Sequence, residues 1–156
     1  MLHVALLEPQ IAPNTGNIAR LCAACGARLH LIGRLGFRLD ERSLRRAGVD
    51  YWESVDLVRH ADWGEFAQSI APRRLLLFTA QGGTNYAEFA YRDEDCLVLG
   101  NESDGLPRGL LAEAGQIVLH IPMPTGKVRS LNLATAAGIA MYEALRQLRS
   151  VKTALS

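Results

Sequence analysis

Five short apolar runs, Leu2–Leu7, Arg28–Ile32, Arg74–Thr79, Cys96–Leu99 and Gln116–Ile121, are separated by segments of helical period. Strands covered on both faces read as continuous apolar runs, and strands joined by helix-length crossovers pair in parallel. The spacing therefore predicts an α/β domain with a mostly parallel sheet flanked by helices. A weaker strand is expected through Ser54–Val58.

Helix signals fill the intervals. Asn14 or Thr15 is placed to cap a helix running to Cys25, with Gly26 placed to end it. Asp40 is placed to cap a second through Arg46, closed by Gly48. Asp62, with Glu65 three residues later, resembles a capping box for a helix to Ile70 that Pro72 stops. Pro107 suits the first turn of a short helix. In the last segment Ala134, Ala137, Gly138, Met141, Leu145 and Leu148 recur at three- and four-residue steps on one side. That stripe needs a cover, which the sheet, a second subunit or both can supply.

The chain of 156 residues fits one domain, expected over 1–150 with a short tail at 151–156, and leaves no room for a separate cofactor domain. No apolar run approaches bilayer length and the first residues lack a signal-peptide pattern, so a cytoplasmic protein without membrane partners is expected. Three cysteines, an odd and small number, fit a reducing compartment. Net charge is only +1, so nucleic-acid binding requires a local patch. One exists between Arg28 and Arg46, where Arg28, Arg34, Arg38, Arg42, Arg45 and Arg46 face only Asp40 and Glu41. On charge alone it also reads as a solvated face.

Several familiar sites are excluded. No G-x-G-x-x-G follows a strand, which disfavours a dinucleotide oxidoreductase. Gly126-Lys127 fails as a phosphate loop, because Ile121 and Val128 stand where that motif needs Gly and Ser/Thr. Cys22 and Cys25 lie in the last turn of the first helix, whereas redox pairs use a helix N-terminus. No metal is expected: no Cys or His set completes four ligands, and His3, His30, His60 and His120 are scattered through or beside strands without an assigned role.

Three strand-end loops stand out. The first is Glu8-Pro9-Gln10-Ile11-Ala12-Pro13-Asn14-Thr15-Gly16-Asn17-Ile18-Ala19-Arg20. The second is Leu97-Val98-Leu99-Gly100-Asn101-Glu102-Ser103-Asp104-Gly105-Leu106-Pro107, and the third runs from Ile121 through Lys127, Arg129, Ser130 and Asn132 to Ala136. Ligands of open α/β sheets bind at the carboxyl ends of strands, and helix N-termini favour anions. Read as structure alone, Asn14 and Asn17 are caps, Ser130 or Asn132 caps the last helix, and Arg20 is a surface charge.

Taken together and in this order, the loops resemble the three motifs of the SPOUT superfamily, in its branch of tRNA and rRNA 2′-O-methyltransferases. The likeness runs from about Leu2 to Leu148. Asn14-Thr15-Gly16-Asn17-Ile18, Arg20-Leu21-Cys22-Ala23 and Leu44-Arg45-Arg46-Ala47-Gly48-Val49-Asp50-Tyr51 are similar to the minimal enzymes that methylate the wobble ribose, a cytidine or modified uridine, in leucine tRNA. Asn101-Glu102-Ser103-Asp104-Gly105 departs from the Pro-Glu-Thr-Arg-Gly usual there, and its Asn-Glu form occurs elsewhere in the branch.

The resemblance implies a C-terminal deep trefoil knot, S-adenosylmethionine as methyl donor, tRNA as partner and a homodimer in which Arg20 of one subunit faces the other's cofactor. It implies catalytic roles for Arg20, Asn14, Glu102, Ser130 and Asn132, with Tyr142 as an accessory or a core residue. It implies cofactor contacts at Phe78, Thr79, Gly100, Ile121, Ser130 and Leu131, and RNA contacts at Arg42, Arg45, Arg46, Tyr51 and Trp52, with Trp52 in the core as the alternative. Methylation of another tRNA or ribosomal nucleotide, and a non-catalytic knotted RNA-binding module, remain open readings at this point.

Overall fold

The computed structural model describes residues 1–40, 42 and 52–154. In chain order the elements are β1 (His3–Leu7), α1 (Ala12–Cys25), β2 (Arg28–Ile32), a 3₁₀ turn (Trp52–Ser54), β3 (Leu57–His60), α2 (Trp63–Ile70), β4 (Leu75–Thr79), β5 (Thr84–Asn85), β6 (Cys96–Leu99), α3 (Arg108–Leu111), β7 (Ile117–His120) and α4 (Leu133–Ala154). The strands form one sheet in the order β3-β2-β1-β6-β4-β7-β5, and every neighbouring pair is parallel. The five expected strands are present to within a residue at each end. The weak one lies further on, at Leu57–His60 instead of Ser54–Val58, and the two-residue β5 is additional.

Each sheet face carries its own core. On one side Leu6, Leu31, Leu76, Leu97 and Leu119 pack with Ile18, Ala19 and Cys22 of α1 and with Ala137, Ala140, Met141 and Ala144 of α4. On the other, Ala5, Ile32, Leu77 and Val98 pack with Phe66 and Ile70 of α2 and with Leu110 of α3. Alternation along each strand divides its side chains between these layers, so β6, covered on both faces, is buried throughout. The α4 stripe thus covers α1 and the sheet, with Ala140 and Ala144 deeper than the expected Ala134 and Leu145.

Local signals explain several boundaries. Gly26 ends α1 in the left-handed region at φ 68°. Asp62 caps α2 by accepting the Glu65 amide at 2.8 Å, while the Glu65 carboxylate reaches back to the Ala61 amide. The helix expected from Asp40 to Arg46, and its closing Gly48, fall largely outside the described residues.

A row of histidines crosses the α2 side of the sheet. His3 Nδ1 lies 3.0 Å from His30 Nε2, and His30 Nδ1 lies 2.9 Å from His60 Nε2. His3 Nε2 meets Glu94 Oε2 at 3.3 Å, and Arg73 holds the same carboxylate at 2.8 Å. The rings stack in sequence, and the Phe66 ring meets His30 and His60 edge-on. Burial lowers the pKa of all three, taking His30 down to about 3.

Candidate active site

The site is assembled where β1, β6 and β7 end. Glu8 leaves β1 with φ of 50°, an unusual conformation for a residue with a side chain, and donates its amide to the Ile32 carbonyl at 2.8 Å. The helix then starts at Ala12, earlier than expected from Asn14 or Thr15, because its cap is not local. Ile11 occupies the N-cap position and offers no side-chain hydrogen bond, and Pro13 fits the first turn. Glu102 supplies the cap instead: its carboxylate accepts the Gln10 amide at 2.7 Å and the Ile11 amide at 3.1 Å. An anion at this end also meets the positive pole of the helix.

Relieved of capping, Asn14 turns inward and is 8% exposed. Its Nδ2 donates to Glu102 Oε1 at 3.3 Å, and its Oδ1 accepts from Asn132 Nδ2 at 3.0 Å. Asn132 Oδ1 accepts the Thr135 amide at 3.2 Å and so caps α4, the task that Ser130 was an alternative for. One hydrogen-bonded line, Glu102–Asn14–Asn132, joins the three motif loops.

The loop bearing Glu102 is doubled back on itself. Asn101 Oδ1 accepts the amides of Ser103 at 3.2 Å and Asp104 at 2.7 Å, and the Gly105 amide returns to the Asn101 carbonyl at 3.1 Å. Gly100 permits the fold, since a Cβ there would stand 2.0 Å from the Gly105 carbonyl carbon. These turns leave an open cleft of about 610 Å³ beside the strand ends.

Phe78, Thr79, Gly100, Ile121, Ser130 and Leu131, the six positions expected to meet a cofactor, all line this cleft. Asn14, Glu102 and Asn132 border it as well. The volume is that of a small-molecule site, and the lining mixes apolar side chains with a few polar groups. Arg20 is exposed and is not among the lining residues of its own chain. It lies six residues after Asn14, about 9 Å further along the helix and on a different face. Gln81, Met123 and Arg129 line the cleft but had no role in the sequence reading. Arg129 was legible as a cation beside Ser130, whereas Gln81 gave no signal.

Arg42, Trp52 and Tyr142 do not line this cleft. Arg42 is exposed and Trp52 is half-buried against the larger core; Arg45, Arg46 and Tyr51 lie outside the described residues. Tyr142 is 55% exposed and does not line the cleft, so it is no core tyrosine. Cys22 is buried, and burial pushes its thiol up to about 12, which suits packing and not redox chemistry. Among the described residues no group of three or more His, Cys, Asp or Glu is placed to hold a metal ion. The histidine row is no exception, as four of its ring nitrogens pair with one another and His3 Nε2 meets Glu94.

Comparison with known proteins bears on the same surfaces. A family model described as the SpoU rRNA Methylase family matches residues 1–142. The chain is 47% identical over 149 residues to a tRNA (cytidine(34)-2′-O)-methyltransferase of Saccharophagus degradans, covering 95% of this chain and 96% of that one. It is 44% identical over 149 residues to the Escherichia coli protein of the same name, covering 95% and 94%. A structure from work on the 2-OH methylation of C/U34 on tRNA superimposes with a TM-score of 0.90 at 48% identity, covering 96% and 97%. The SpoU methyltransferase AviRb of Streptomyces viridochromogenes, in complex with AdoMet, matches with a TM-score of 0.83 at 28% identity, covering 96% of this chain and 61% of that one.

Proposed function

This chain belongs to the SpoU methylase family, and we propose that it methylates the ribose 2′-hydroxyl of nucleotide 34, a cytidine or modified uridine, in tRNA, with S-adenosylmethionine as donor. Leucine tRNAs are the proposed substrates. The observation that carries the reading is the Glu102–Asn14–Asn132 line, which draws three distant loops to the edge of one cleft of cofactor size.

When bound, S-adenosylmethionine supplies a methyl group already activated by its sulfonium. Phe78, Ile121 and Leu131 would enclose the adenine side, with Thr79, Gly100 and Ser130 offering polar and backbone groups. Asn14 and Asn132 would hold the ribose side, with Ser130 between ribose and donor, while Glu102 keeps Asn14 in its orientation. The demanding step is loss of the proton from a ribose hydroxyl, which is scarcely ionised near neutral pH. Arg20 serves here as a cation that stabilises the negative charge developing on that oxygen while an RNA phosphate takes the proton, because a guanidinium with a pKa above about 12 is a poor proton acceptor.

Arg20 lies outside its own chain's cleft, which favours a homodimer in which each subunit's Arg20 serves the other's site. We further read the C-terminal segment as a trefoil knot, residues 1–150 as one catalytic domain followed by a tail at 151–156, and Arg42, Arg45, Arg46, Tyr51 and Trp52 as the RNA-facing group. The proposed place of action is the cytoplasm, where tRNA is met.

The test is to incubate the chain with S-adenosylmethionine and total RNA and to map 2′-O-methylation at nucleotide resolution. New methylation confined to nucleotide 34 of leucine tRNAs is expected. Methylation of ribosomal RNA, of another tRNA nucleotide, or none at all would overturn the assignment.

A further inference from the structure

Gln10 stands at a junction that the motif residues do not explain. Its backbone amide donates to Glu102 Oε2 at 2.7 Å, and its side-chain Oε1 accepts both the Ser103 hydroxyl at 2.7 Å and the Ser103 amide at 3.1 Å. One residue thus grips two consecutive positions of the 101–105 loop. Its opposite side is closed: a Cβ on Gly36 would lie 2.7 Å from the Gln10 Cα and carbonyl oxygen, and the Gly36 amide donates to the Pro9 carbonyl at 2.9 Å. Gly36 sits between Arg34 and Arg38, both exposed. Gln10 therefore connects an arginine-bearing loop, the start of α1 and the loop that carries Glu102.

We propose that Gln10 is a positioning residue that locks the 101–105 loop to the start of α1, so that Glu102 and Asn14 present the ribose side of the cleft in transfer geometry. The inference rests on the methyltransferase reading above and adds to it a residue that touches neither ribose nor donor. Without the Gln10 side chain, Glu102 still reaches the Gln10 and Ile11 amides, but its loop is free to pivot about the Asn101 turn. Small displacements of a positioning group are felt in the transfer rate more than in ground-state binding. Five of the six donor contacts, Phe78, Thr79, Ile121, Ser130 and Leu131, lie on other loops, and Gly100 follows directly on β6 ahead of the clamped turn, so donor binding depends little on this clamp.

The test combines kinetics with amide exchange on the full-length protein. Ser103→Ala should slow single-turnover methyl transfer about three- to tenfold, the rate equivalent of one hydrogen bond of ordinary net strength, and Gln10→Ala, which removes two, at least as much. Cofactor Kd by calorimetry should stay within a factor of two or so of wild type, because uniform binding is not what the clamp supplies. The double variant should be no slower than Gln10→Ala alone, since that substitution already removes both contacts to Ser103, the hydroxyl and the amide. Ser103→Thr, which keeps the hydroxyl, should recover most of the rate. Exchange at the Gln10 and Ile11 amides should quicken several-fold in Ser103→Ala, though neither amide bonds to Ser103. Unchanged rates, multiplicative losses in the double variant, or a parallel loss of cofactor affinity would overturn the proposal. Unmoved exchange at Gln10 and Ile11 would overturn it whether or not the wild-type protein transfers a methyl group; a silent wild type would count against the methyltransferase reading alone.

Discussion

Asn14 and Asn132, 118 residues apart in sequence, meet side chain to side chain, with the Asn132 Nδ2 donating to the Asn14 Oδ1 at 3.0 Å. Both carboxamides are oriented by their outer partners, Asn14 by Glu102 and Asn132 by the Thr135 amide. Asn132→Asp keeps the oxygen that caps α4 but loses the donor to Asn14. Its melting temperature should stay near wild type while single-turnover methyl transfer falls about 5- to 150-fold, the range for leaving one buried polar group unpaired. A variant that transfers methyl at the wild-type rate would remove Asn132 from the site.

Glu102 bonds two backbone amides at the head of α1, and a carboxamide cannot repeat this, because its nitrogen would face an N–H donor. Glu102→Gln should therefore cost about 1–2 kcal/mol of stability, from the cap and the helix pole together. For a chain of this size that amounts to a melting temperature lower by roughly 2–8 °C. A thermal melt unchanged by the substitution would show that the cap contributes nothing.

If Arg20 serves the neighbouring subunit's cleft, two inactive variants should complement each other. Arg20→Ala and Asn132→Ala, unfolded together and refolded as an equal mixture, should regain about a quarter of wild-type turnover, because half the dimers are mixed and each holds one intact site. A mixture as inactive as its components would place Arg20 and Asn132 in the same subunit's site.

The histidine row makes stability depend on pH in a defined direction. Glu94, held at about 2 by Arg73 and the N-terminal ammonium, is an acceptor, so His3 must donate from Nε2. His30 and His60 then donate from Nε2 in turn, which makes all three neutral rings the same tautomer. The flanking charges are Arg73, Arg28 and Glu94 around His3, Arg28 and Asp56 around His30, and Glu65 beside His60. Buried in this state, the rings titrate below the ordinary histidine value of about 6.5 that they regain on unfolding. Below that value the unfolded chain binds protons that the folded one refuses, so stability present at pH 7 is lost as pH falls from about 6.5 toward the folded values. The urea midpoint should fall between about pH 7 and 5, above the range where carboxylates titrate. Nitrogen NMR at about pH 5.5 should show the His30 ring neutral and protonated at Nε2; any of the three rings titrating near about 6.5 in the folded protein would refute the account.

What the sequence made legible was whatever is written locally. Continuous apolar runs marked the buried strands, Gly26 marked the end of α1, and the Asp62–Glu65 pair marked the start of α2. The first residues of α1 were misread because their cap comes from Glu102, 92 positions from Gln10, and no local pattern announces it. The histidine row was hidden for the same reason: His3, His30 and His60 stand 27 and 30 residues apart and meet only through the registers of β1, β2 and β3. The cleft residues were found by likeness of motif, since Phe78 or Ile121 alone carries no chemistry. Gln10 lay inside a motif loop, but its second grip, on Ser103, exists only in the folded chain.

The place of β6 sets an order on biosynthesis. Its two neighbours, β1 and β4, are both made earlier, and until residues 96–99 slide between them no strand pairing among the described residues joins the β3-β2-β1 ribbon to β4. At about 5–20 residues per second, a nascent chain carries β1 for roughly 5–20 s before that strand exists. A ribosome that stalls within this interval releases a fragment with two open strand edges, and such edges pair with whatever extended segment they meet. Products cut short before Cys96 should therefore be found in aggregates, whereas full-length chains close the gap on themselves.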